Sequence, residues 1–426
     1  MQKAFHLELD LCTGCNACAI ACEIENELED GMSWRRVQTF NEARIPELPQ
    51  FHLSLACNHC LDAPCEENCP ALAYDKHPVT GAVTIDPERC IGCKYCSWAC
   101  PYDAPQFSPS QGIMQKCTFC SHRLAADLSP ACTTSCPTGA LRFGDFEPER
   151  TPAPVPGFYR DHIEPAIHIK PLRRFGPPAF AGGHVAHANA GTGPVNAGAT
   201  MTRKISLRSE WSLLVFTTIV PILVALVASA SAPLLLVPVL GLIAMGLSAA
   251  HLGKPARAYR AILNWRRSWL SREILLFPAF VGLSLLPSAR PLTAAVGFAT
   301  LLAMDQVYRL STNRRRGELH SAAVLLTGLF LTGVFAQWLW LVVPVWLLKL
   351  GLYLRRHHRY PIESKPLFFS RIAFGFVLPV AAFTLYPLAI AFVLVGELID
   401  RVEFYLELDF AQPSTQMRAD LERAMV

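Results

Sequence analysis

The chain has 426 residues, of which 52% are hydrophobic and 17% charged, and a formal net charge of +4. At about 150 residues per domain, this length predicts two or three domains, and the small net charge argues against a nucleic-acid partner. All sixteen cysteines lie between Cys12 and Cys136, whereas the apolar excess begins after Trp211. The two halves of the chain are therefore expected to be of different kinds.

Composition divides the chain into four segments. Residues 1–150 are rich in Cys, Pro and charge, and predict a domain whose bound cofactors supply much of the folding energy. Residues 151–205 are rich in Pro, Gly and Ala and predict a flexible linker. Residues 206–408 predict a transmembrane domain, and residues 409–426 a C-terminal tail. Because Met201-Thr-Arg-Lys resembles the start of a separate protein, we interpret the chain as a fusion of two subunits.

The N-terminus carries no recognisable export signal, because residues 1–10 contain neither an apolar run nor a twin arginine. Disulfides belong to oxidising compartments, so the cysteines favour metal or cluster ligation over eight disulfides.

The cysteines form four groups with metal-ligand spacing. They are Cys12, Cys15, Cys18 and Cys22; Cys57, Cys60, Cys65 and Cys69; Cys90, Cys93, Cys96 and Cys100; and Cys117, Cys120, Cys132 and Cys136. A C-x2-C-x2-C-x3-C-P run is typical of ferredoxins, in which the last cysteine of a run ligates a different cluster. Sixteen thiolates at four per cluster predict four [4Fe–4S] clusters. Zinc is also bound by four cysteines, but zinc sites seldom use this run, so we favour clusters.

Three motifs carry a family resemblance, namely Cys57-Asn-His-Cys60, Cys90-Ile-Gly-Cys93-Lys-Tyr-Cys96-Ser-Trp-Ala-Cys100-Pro-Tyr and Lys116-Cys-Thr-Phe-Cys120. Residues 4–146 resemble the four-cluster iron–sulfur subunit of the dimethyl sulfoxide reductase family of molybdoenzymes. The resemblance implies an α+β ferredoxin-like, double-dicluster fold. Related nitrate reductase subunits have Trp where this chain has Cys93, so a complete cubane is expected here.

The same resemblance implies how the groups pair, the first with the fourth and the second with the third. One cluster would take Cys12, Cys15, Cys18 and Cys136, and another Cys117, Cys120, Cys132 and Cys22. The inner pair would be held by Cys57, Cys60, Cys65 and Cys100 and by Cys90, Cys93, Cys96 and Cys69.

Eight apolar segments follow Trp211 and predict an all-α polytopic membrane bundle of about eight helices. They cover residues 211–231, 234–252, 271–288, 291–308, 320–336, 338–353, 368–385 and 387–405. The segments at 320–353 require a very tight turn between two helices. Asp305, Glu397 and Asp400 need partners inside such a bundle, and the i,i+4 spacing of Glu397 and Arg401 predicts a pair.

Residues 210–406 resemble the anchor subunit of the same reductases, through His251-Leu-Gly-Lys-Pro-Ala-Arg257, Ser271-Arg-Glu273 and the segment from Gly396 to Tyr405. The resemblance implies electron exchange with a quinone and no haem. His251 would titrate near neutral pH, Arg257 would stabilise a quinone anion, and Glu273 would relay a proton. The alternative is that these three residues cap helices and snorkel to lipid headgroups.

Basic residues fall on one side of the predicted spans. The loop between the sixth and seventh segments, for example, contributes Lys349, Arg355, Arg356, Arg359, Lys365 and Arg371, whereas the opposite loops offer only Arg290. The positive-inside rule then predicts a multi-pass protein of the cytoplasmic (inner) membrane with its iron–sulfur domain facing the cytoplasm. This differs from the best-known dimethyl sulfoxide reductases and resembles cytoplasm-facing sulfite dehydrogenase complexes.

These observations favour a non-catalytic subunit that relays electrons between a separate molybdopterin subunit and the quinone pool. The substrate would be a small sulfur compound, through sulfite oxidation or reduction of dimethyl sulfoxide or another S-oxide. Two alternatives from other classes are a redox-driven ion-translocating membrane module and a cluster-bearing membrane redox sensor.

Overall fold

The computed structural model describes residues 2–147, 155–158, 163–173, 207, 210–311, 319–359, 365–382, 384–408 and 412–425. The chain forms two compact units, which we call the cysteine-rich unit (1–196 and 410–426) and the helical unit (197–409). Most of the predicted linker, 151–205, lies outside the described residues. The four segment boundaries drawn from composition therefore stay predictions.

Among its described residues, the cysteine-rich unit contains nine short strands. They are β1 (Lys3–Glu8), β2 (Arg36–Phe40), β3 (Phe51–Leu55), β4 (Tyr74–Lys76), β5 (Val83–Ile85), β6 (Gln106–Ser108), β7 (Ile113–Gln115), β8 (Leu141–Asp145) and β9 (Ile167–Lys170). β1 is the central strand of a three-stranded sheet, antiparallel to β8 and parallel to β9. The other six strands pair as the antiparallel two-stranded sheets β2–β3, β4–β5 and β6–β7.

Five helices of the cysteine-rich unit begin within or beside the cysteine groups: α1 (Ala17–Glu25), α2 (Pro64–Glu67), α3 (Tyr95–Ala99), α4 (Ser121–Leu124) and α5 (Ala131–Thr134). Apart from α1 they are one turn long, so they bury little apolar surface. Phe5, Phe119 and Phe143 pack edge to face, with ring centroids 5.1–5.6 Å apart. This small aromatic core joins the central sheet to the Cys117–Cys120 loop.

The helical unit contains α6 (Trp211–Ala228), α7 (Leu236–Ala250), α8 (Trp269–Leu283), α9 (Arg290–Ser311), α10 (Val324–Ala336), α11 (Leu339–Arg359), α12 (Lys365–Ile372), α13 (Leu378–Ala381) and α14 (Tyr386–Glu407). A 3₁₀-helix, Pro255–Ile262, lies between α7 and α8. The seventh predicted segment is not one regular helix, because the π-helix Ala373–Val377 separates α12 from α13. The prediction of a cysteine-bearing domain followed by a largely helical region is confirmed.

The turn between α10 and α11 is as tight as predicted. Gln337 adopts a left-handed conformation (φ 57°), and the Trp338 N–H donates to the Gly333 carbonyl at 2.9 Å. This backbone bond, of the Schellman type, satisfies an end carbonyl of α10 and lets α11 begin at Leu339.

One helix among the described residues, α6, is both long and apolar enough to cross a membrane. α7 and the following 3₁₀-helix pass the same test only as a pair bent by 105°, and α10 is apolar but shorter. α11 and α14 are long but carry several charged residues, including Lys349 and Glu397. The eight membrane spans therefore stay a prediction.

The C-terminal residues form α15 (Pro413–Ala424), which packs within the cysteine-rich unit. Met417 and Asp420 are buried, and Asp420 accepts a hydrogen bond from the Gly157 N–H at 2.9 Å. Gly157 has a left-handed backbone (φ 82°), and a Cβ there would lie 2.2 Å from the Met417 Cγ. No pattern in the sequence indicated that the predicted tail makes these contacts.

Candidate iron–sulfur centres

Left-handed residues turn the chain around each cysteine loop. Gly14 and Asn16 flank Cys15, and Gly92 and Lys94 flank Cys93 in the same way, with φ between 60° and 70°. Alternation of left- and right-handed residues points successive backbone N–H groups into a concavity that attracts anions, as in many iron–sulfur sites. The loops therefore have the backbone shape that a cluster requires.

The sixteen thiols collect into four sets. We call them set A (Cys12, Cys15, Cys18, Cys136), set B (Cys22, Cys117, Cys120, Cys132), set C (Cys57, Cys60, Cys65, Cys100) and set D (Cys69, Cys90, Cys93, Cys96). The four cysteines of set C line one cavity, and those of set D line another. The electrostatic neighbours of Cys12 are the other three thiols of set A, and those of Cys22 include Cys132 and Cys120. These sets have the composition that the family resemblance implies.

The electrostatic neighbours also order the sets. Cys132 of set B interacts with Cys18 of set A, Cys117 of set B with Cys57 of set C, and Cys65 of set C with Cys96 of set D. The resulting order is A–B–C–D. Every thiol of sets B and C is buried, whereas Cys15 in set A is exposed and Cys93 in set D is half-buried. The interior of the series is therefore shielded from water, and the set A end reaches the surface.

Burial raises the pKa of most of these thiols. The pKa of Cys22 rises to about 12 because the thiol is desolvated and lies near Cys132 and Cys120, although Arg35 opposes the shift. The pKa values of Cys60, Cys65 and Cys117 are raised well above the usual range, mainly because these thiols are buried. Metal binding by such thiols must release protons.

Several N–H groups donate hydrogen bonds to the cysteine sulfurs, which supports the fit of a cluster to these sets. The backbone N–H groups of His59, Ala73, Met114 and Leu141 donate to the sulfurs of Cys57, Cys69, Cys90 and Cys136, each at 3.4 Å. In set B, the Asn26 side-chain amide lies 3.7 Å from the Cys22 sulfur and 4.0 Å from the Cys120 sulfur. Hydrogen bonds to sulfur are one of the factors that set cluster potentials.

The spacing of the thiols differs from that of a single-ion site. Among the described residues, no three Cys, His, Asp or Glu side chains converge closely enough to hold one metal ion. A cubane distributes its four cysteines over four irons, so its ligands stand farther apart than the four ligands of one zinc ion. That these sulfurs bind iron remains a prediction, to which the geometry lends support.

Two buried cations beside the sets were missed by the sequence analysis. Arg35 is 1% exposed and Lys116 is 2% exposed. Two Arg35 nitrogens, Nε and Nη2, are buried without a hydrogen-bond partner among the described residues, as donors left for a cluster would be. The position of Lys116 immediately before Cys117 was the only sign available in the sequence.

The three predicted quinone residues lie on consecutive elements of the helical unit. His251 follows α7 at the 105° bend, Arg257 lies in the 3₁₀-helix, and Glu273 is buried in the first turns of α8. The 3₁₀-helix contacts both α7 and α8, so the three residues lie on elements that pack against one another. Their role in quinone binding stays a prediction.

The buried acidic residues have structural partners, some of them unexpected. Both carboxylate oxygens of Asp305 accept backbone N–H groups at the start of α10, from Val324 at 2.7 Å and Leu325 at 3.0 Å. Glu397 pairs with cations from two other helices, Lys349 at 2.9 Å and Arg371 at 3.1 Å. The prediction that its partner would be Arg401, on its own helix, is wrong because α11 and α12 bring these cations closer.

Three basic residues assigned to a loop belong instead to the core of the helical unit. Lys349, Arg356 and Arg371 are each less than 9% exposed. Asp400 is an ion-pair partner of all three, with Arg371 nearest at 3.1 Å. They therefore do not belong in the loop charge count that predicted orientation, which rests on the remaining basic residues and stays a prediction.

Comparison with known proteins supports the assignment of the cysteine-rich unit. The model of the 4Fe-4S dicluster domain family matches residues 49–146. YnfG of Escherichia coli K12, a probable anaerobic dimethyl sulfoxide reductase component, is 37% identical over 199 residues, which cover 97% of that protein and 44% of this chain. A sulfite dehydrogenase component of Allochromatium vinosum is 38% identical over 165 residues, 69% of that protein and 34% of this chain.

A third relative carries electron transfer in its name. The thiosulfate reductase electron transfer subunit PhsB of Salmonella typhi is 44% identical over 143 residues, 72% of that protein and 32% of this chain. Each of these matches leaves more than half of this chain uncovered. Together with the cysteine sets, they show that the chain belongs to the family of iron–sulfur electron-transfer subunits found in dimethyl sulfoxide reductase and sulfite dehydrogenase.

Proposed function

We propose that sets A to D hold four [4Fe–4S] clusters, and that the chain relays electrons between a molybdopterin catalytic subunit and membrane quinone. The observation that carries the proposal is the order A–B–C–D, with buried thiols in the middle and the exposed Cys15 at the set A end. A continuous series of this kind, shielded in its interior and open to the surface at set A, suits a relay of electrons to or from a partner.

Each bound cubane would supply one reversible one-electron couple. The work of the chain is to hold these groups and control their surroundings. Burial of sets B and C keeps water away from the middle of the series. N–H donors to the Cys57 sulfur of set C and to the Cys69 and Cys90 sulfurs of set D favour negative charge at these two sets.

An apolar surface beside set A supports docking of a partner at that end. Ile20 and Ile24 on α1 are 53% and 74% exposed, and Leu11 is 40% exposed, close in sequence to the exposed Cys15. Large exposed apolar side chains grouped in this way are typical of protein interaction sites. We assign this surface to the molybdopterin subunit, because the related chains are subunits of sulfur-compound oxidoreductases.

The helical unit would be the membrane anchor. Leu235, Leu242, Trp340, Phe369 and Val380 are each more than 60% exposed, which suits lipid rather than water. His251, Arg257 and Glu273 would then form the quinone site at the bent corner after α7. The cysteine-rich unit would face the cytoplasm, since the exposed basic residues still favour that orientation.

The test is to purify the chain with its catalytic partner and measure iron, quinone-coupled sulfite oxidation and sulfoxide reduction. We expect about sixteen irons per chain, at four per cluster. We also expect activity only with the partner present, and greatly reduced quinone coupling in Glu273→Gln and His251→Ala. Far fewer irons, zinc in place of iron, or turnover by the isolated chain would overturn the proposal.

A second candidate, redox-driven ion translocation, is favoured by the buried ion pairs around Asp400. They join α11, α12 and α14 through Lys349, Arg356, Arg371 and Glu403. Turnover in proteoliposomes should then acidify or alkalinise the lumen beyond the protons of the quinone reaction itself, and Asp400→Asn should abolish the excess. A proton count equal to that of the quinone reaction alone would exclude this candidate.

A further inference from the structure

Arg35 and Lys116 are buried cations that have no carboxylate partner among the described residues. Bringing a cation out of water is unfavourable unless an anion compensates it. In both cases the neighbours that can supply negative charge are cysteine sulfurs. The positions of the two cations relative to sets A to D therefore need an explanation.

Arg35 lies at the junction of sets A and B. Its Nη1 donates to the Ser54 Oγ at 3.2 Å, and the same hydroxyl lies 3.3 Å from the Cys18 sulfur of set A. Its guanidinium stands 4.3 Å above the Phe5 ring, which packs on Phe119 in the cysteine loop of set B. The electrostatic neighbours of Arg35 are Cys132, Cys117 and Cys22 of set B, and Cys18 of set A.

Lys116 lies at the junction of sets B and C. It precedes Cys117 of set B, and it lines the cavity formed by the four cysteines of set C. Its Nζ donates to the Val83 carbonyl and, at 3.3 Å, to the Cys117 carbonyl. Its electrostatic neighbours are Cys57 and Cys65 of set C and Cys117 of set B.

The remaining junction, between sets C and D, carries a neutral side chain. Tyr74 is 7% exposed, lines the cavity of set D and interacts with Cys96 of set D and Cys65 of set C. Set B therefore lies between the two cations, with Arg35 on the side of set A and Lys116 on the side of set C. Sets A and C each have one cation beside them, and set D has neither.

We propose that Arg35 and Lys116 are positioning residues that make the clusters of sets A, B and C easier to reduce, set B most of all. The inference rests on the proposed cluster assignment. Reduction adds one negative charge to a cluster, and a cation held in a low-dielectric interior favours the more negative state. The two charges would bias where an electron resides along the series without contacting substrate.

The test is an EPR-monitored redox titration of the intact, cluster-loaded chain and of the variant Lys116→Gln. Signals are first assigned with single Cys→Ser variants, one set at a time. We expect the ratio of reduced to oxidised cluster in sets B and C to fall by about tenfold or more at fixed potential, and tenfold corresponds to 59 mV for a one-electron couple. Set D should not shift.

Charge-retaining and remote variants separate electrostatics from structure. Lys116→Arg should keep the wild-type titration, and Lys3→Gln, which removes an exposed cation paired with Asp145, should leave all four signals unshifted. Arg35→Gln should shift sets A and B but not set C. If Lys116→Gln loses iron, Arg35→Gln tests the same claim at the other junction.

Two results would overturn the inference. One is an unchanged titration of sets A to C in neutral variants that retain full iron. The other is loss of iron from both neutral variants with no shift in the clusters that remain, which would make the cations purely structural. A chain without clusters would instead refute the proposed function, so the two failures are distinguishable.

Discussion

The cysteine-rich unit and the helical unit differ in how their buried polar and charged side chains are compensated. In the first, the interior holds most of the sixteen thiols and two cations that have no carboxylate partner among the described residues. Its helices and strands are mostly one turn or three to six residues long. In the second, helices of up to 22 residues bury two apolar core clusters, and much of the buried charge lies in paired residues near Asp400.

This difference shows which component organises each unit. The cysteine-rich unit has little apolar surface to bury, so its interior is built around the groups that its thiols would bind. The helical unit is held by side-chain packing, as where Phe216, Phe277 and Leu301 share one core cluster. Four experiments can break or sharpen the contrast, beginning with the largest expected effect.

Withholding iron should unfold the cysteine-rich unit and leave the helical unit folded. The ligands would lose the binding energy that compensates for burying them, whereas the apolar core of α6 to α10 needs no metal. Hydrogen exchange of the iron-free chain in detergent should show lost protection in β1 and β8 and retained protection in α6. Protected β1 amides in that sample would contradict the contrast.

Replacing Lys349 with Met should destabilise the helical unit by about 3–5 kcal/mol, because it leaves Glu397 and Asp400 buried with less compensating charge. The double variant Lys349→Met, Glu397→Met should recover most of this loss, since a buried pair can be replaced by apolar residues at little cost. Unfolding midpoints in detergent measure both effects.

Arg355→Gln is the matched control for that experiment. Arg355 is exposed on the same helix, one residue from the buried Arg356, and its loss should change stability little. Equal destabilisation by Lys349→Met and Arg355→Gln would show that the buried pairs do not matter.

Gly157→Ala should loosen α15 from the cysteine-rich unit. A left-handed backbone costs alanine about 1–2 kcal/mol. At Gly157 the added Cβ would also overlap the Met417 side chain. Gly31→Ala, with φ 81° and no described atom within 4 Å of the added Cβ, isolates the backbone cost. Limited proteolysis should release the C-terminus faster in the first variant only, and equal rates would disprove the role of this contact.

Lys3→Ala should have the smallest effect. Its ion pair with Asp145 measures 2.7 Å, but both side chains are more than a third exposed, so water and salt screen the attraction. The thermal midpoint of the iron-loaded chain should not change measurably. A clear loss of stability would mean that the edge of the β1–β8 sheet depends on this pair.

Local signals in the sequence predicted much of both units. Cysteine spacing indicated four ligand groups because the three nearest ligands of a cluster come from one loop, and apolar runs indicated the positions of most helices from α6 to α14. The broken seventh segment was missed because apolar residues continue across its π-helix, where long-range packing is close. Arg371 extends its Nη1 into a notch where a Cβ on Gly375 or Gly396 would lie 2.1 or 2.7 Å away.

By itself, the sequence determined how many thiols there are, how they are spaced and which segments are apolar, since these properties depend only on neighbouring residues. Only the tertiary structure decided the order of the four sets, the burial of Arg35 and Lys116 between them, and the partners of Glu397. Each of these depends on segments far apart in the chain being packed together, and no local pattern records which distant side chain will fill a given gap.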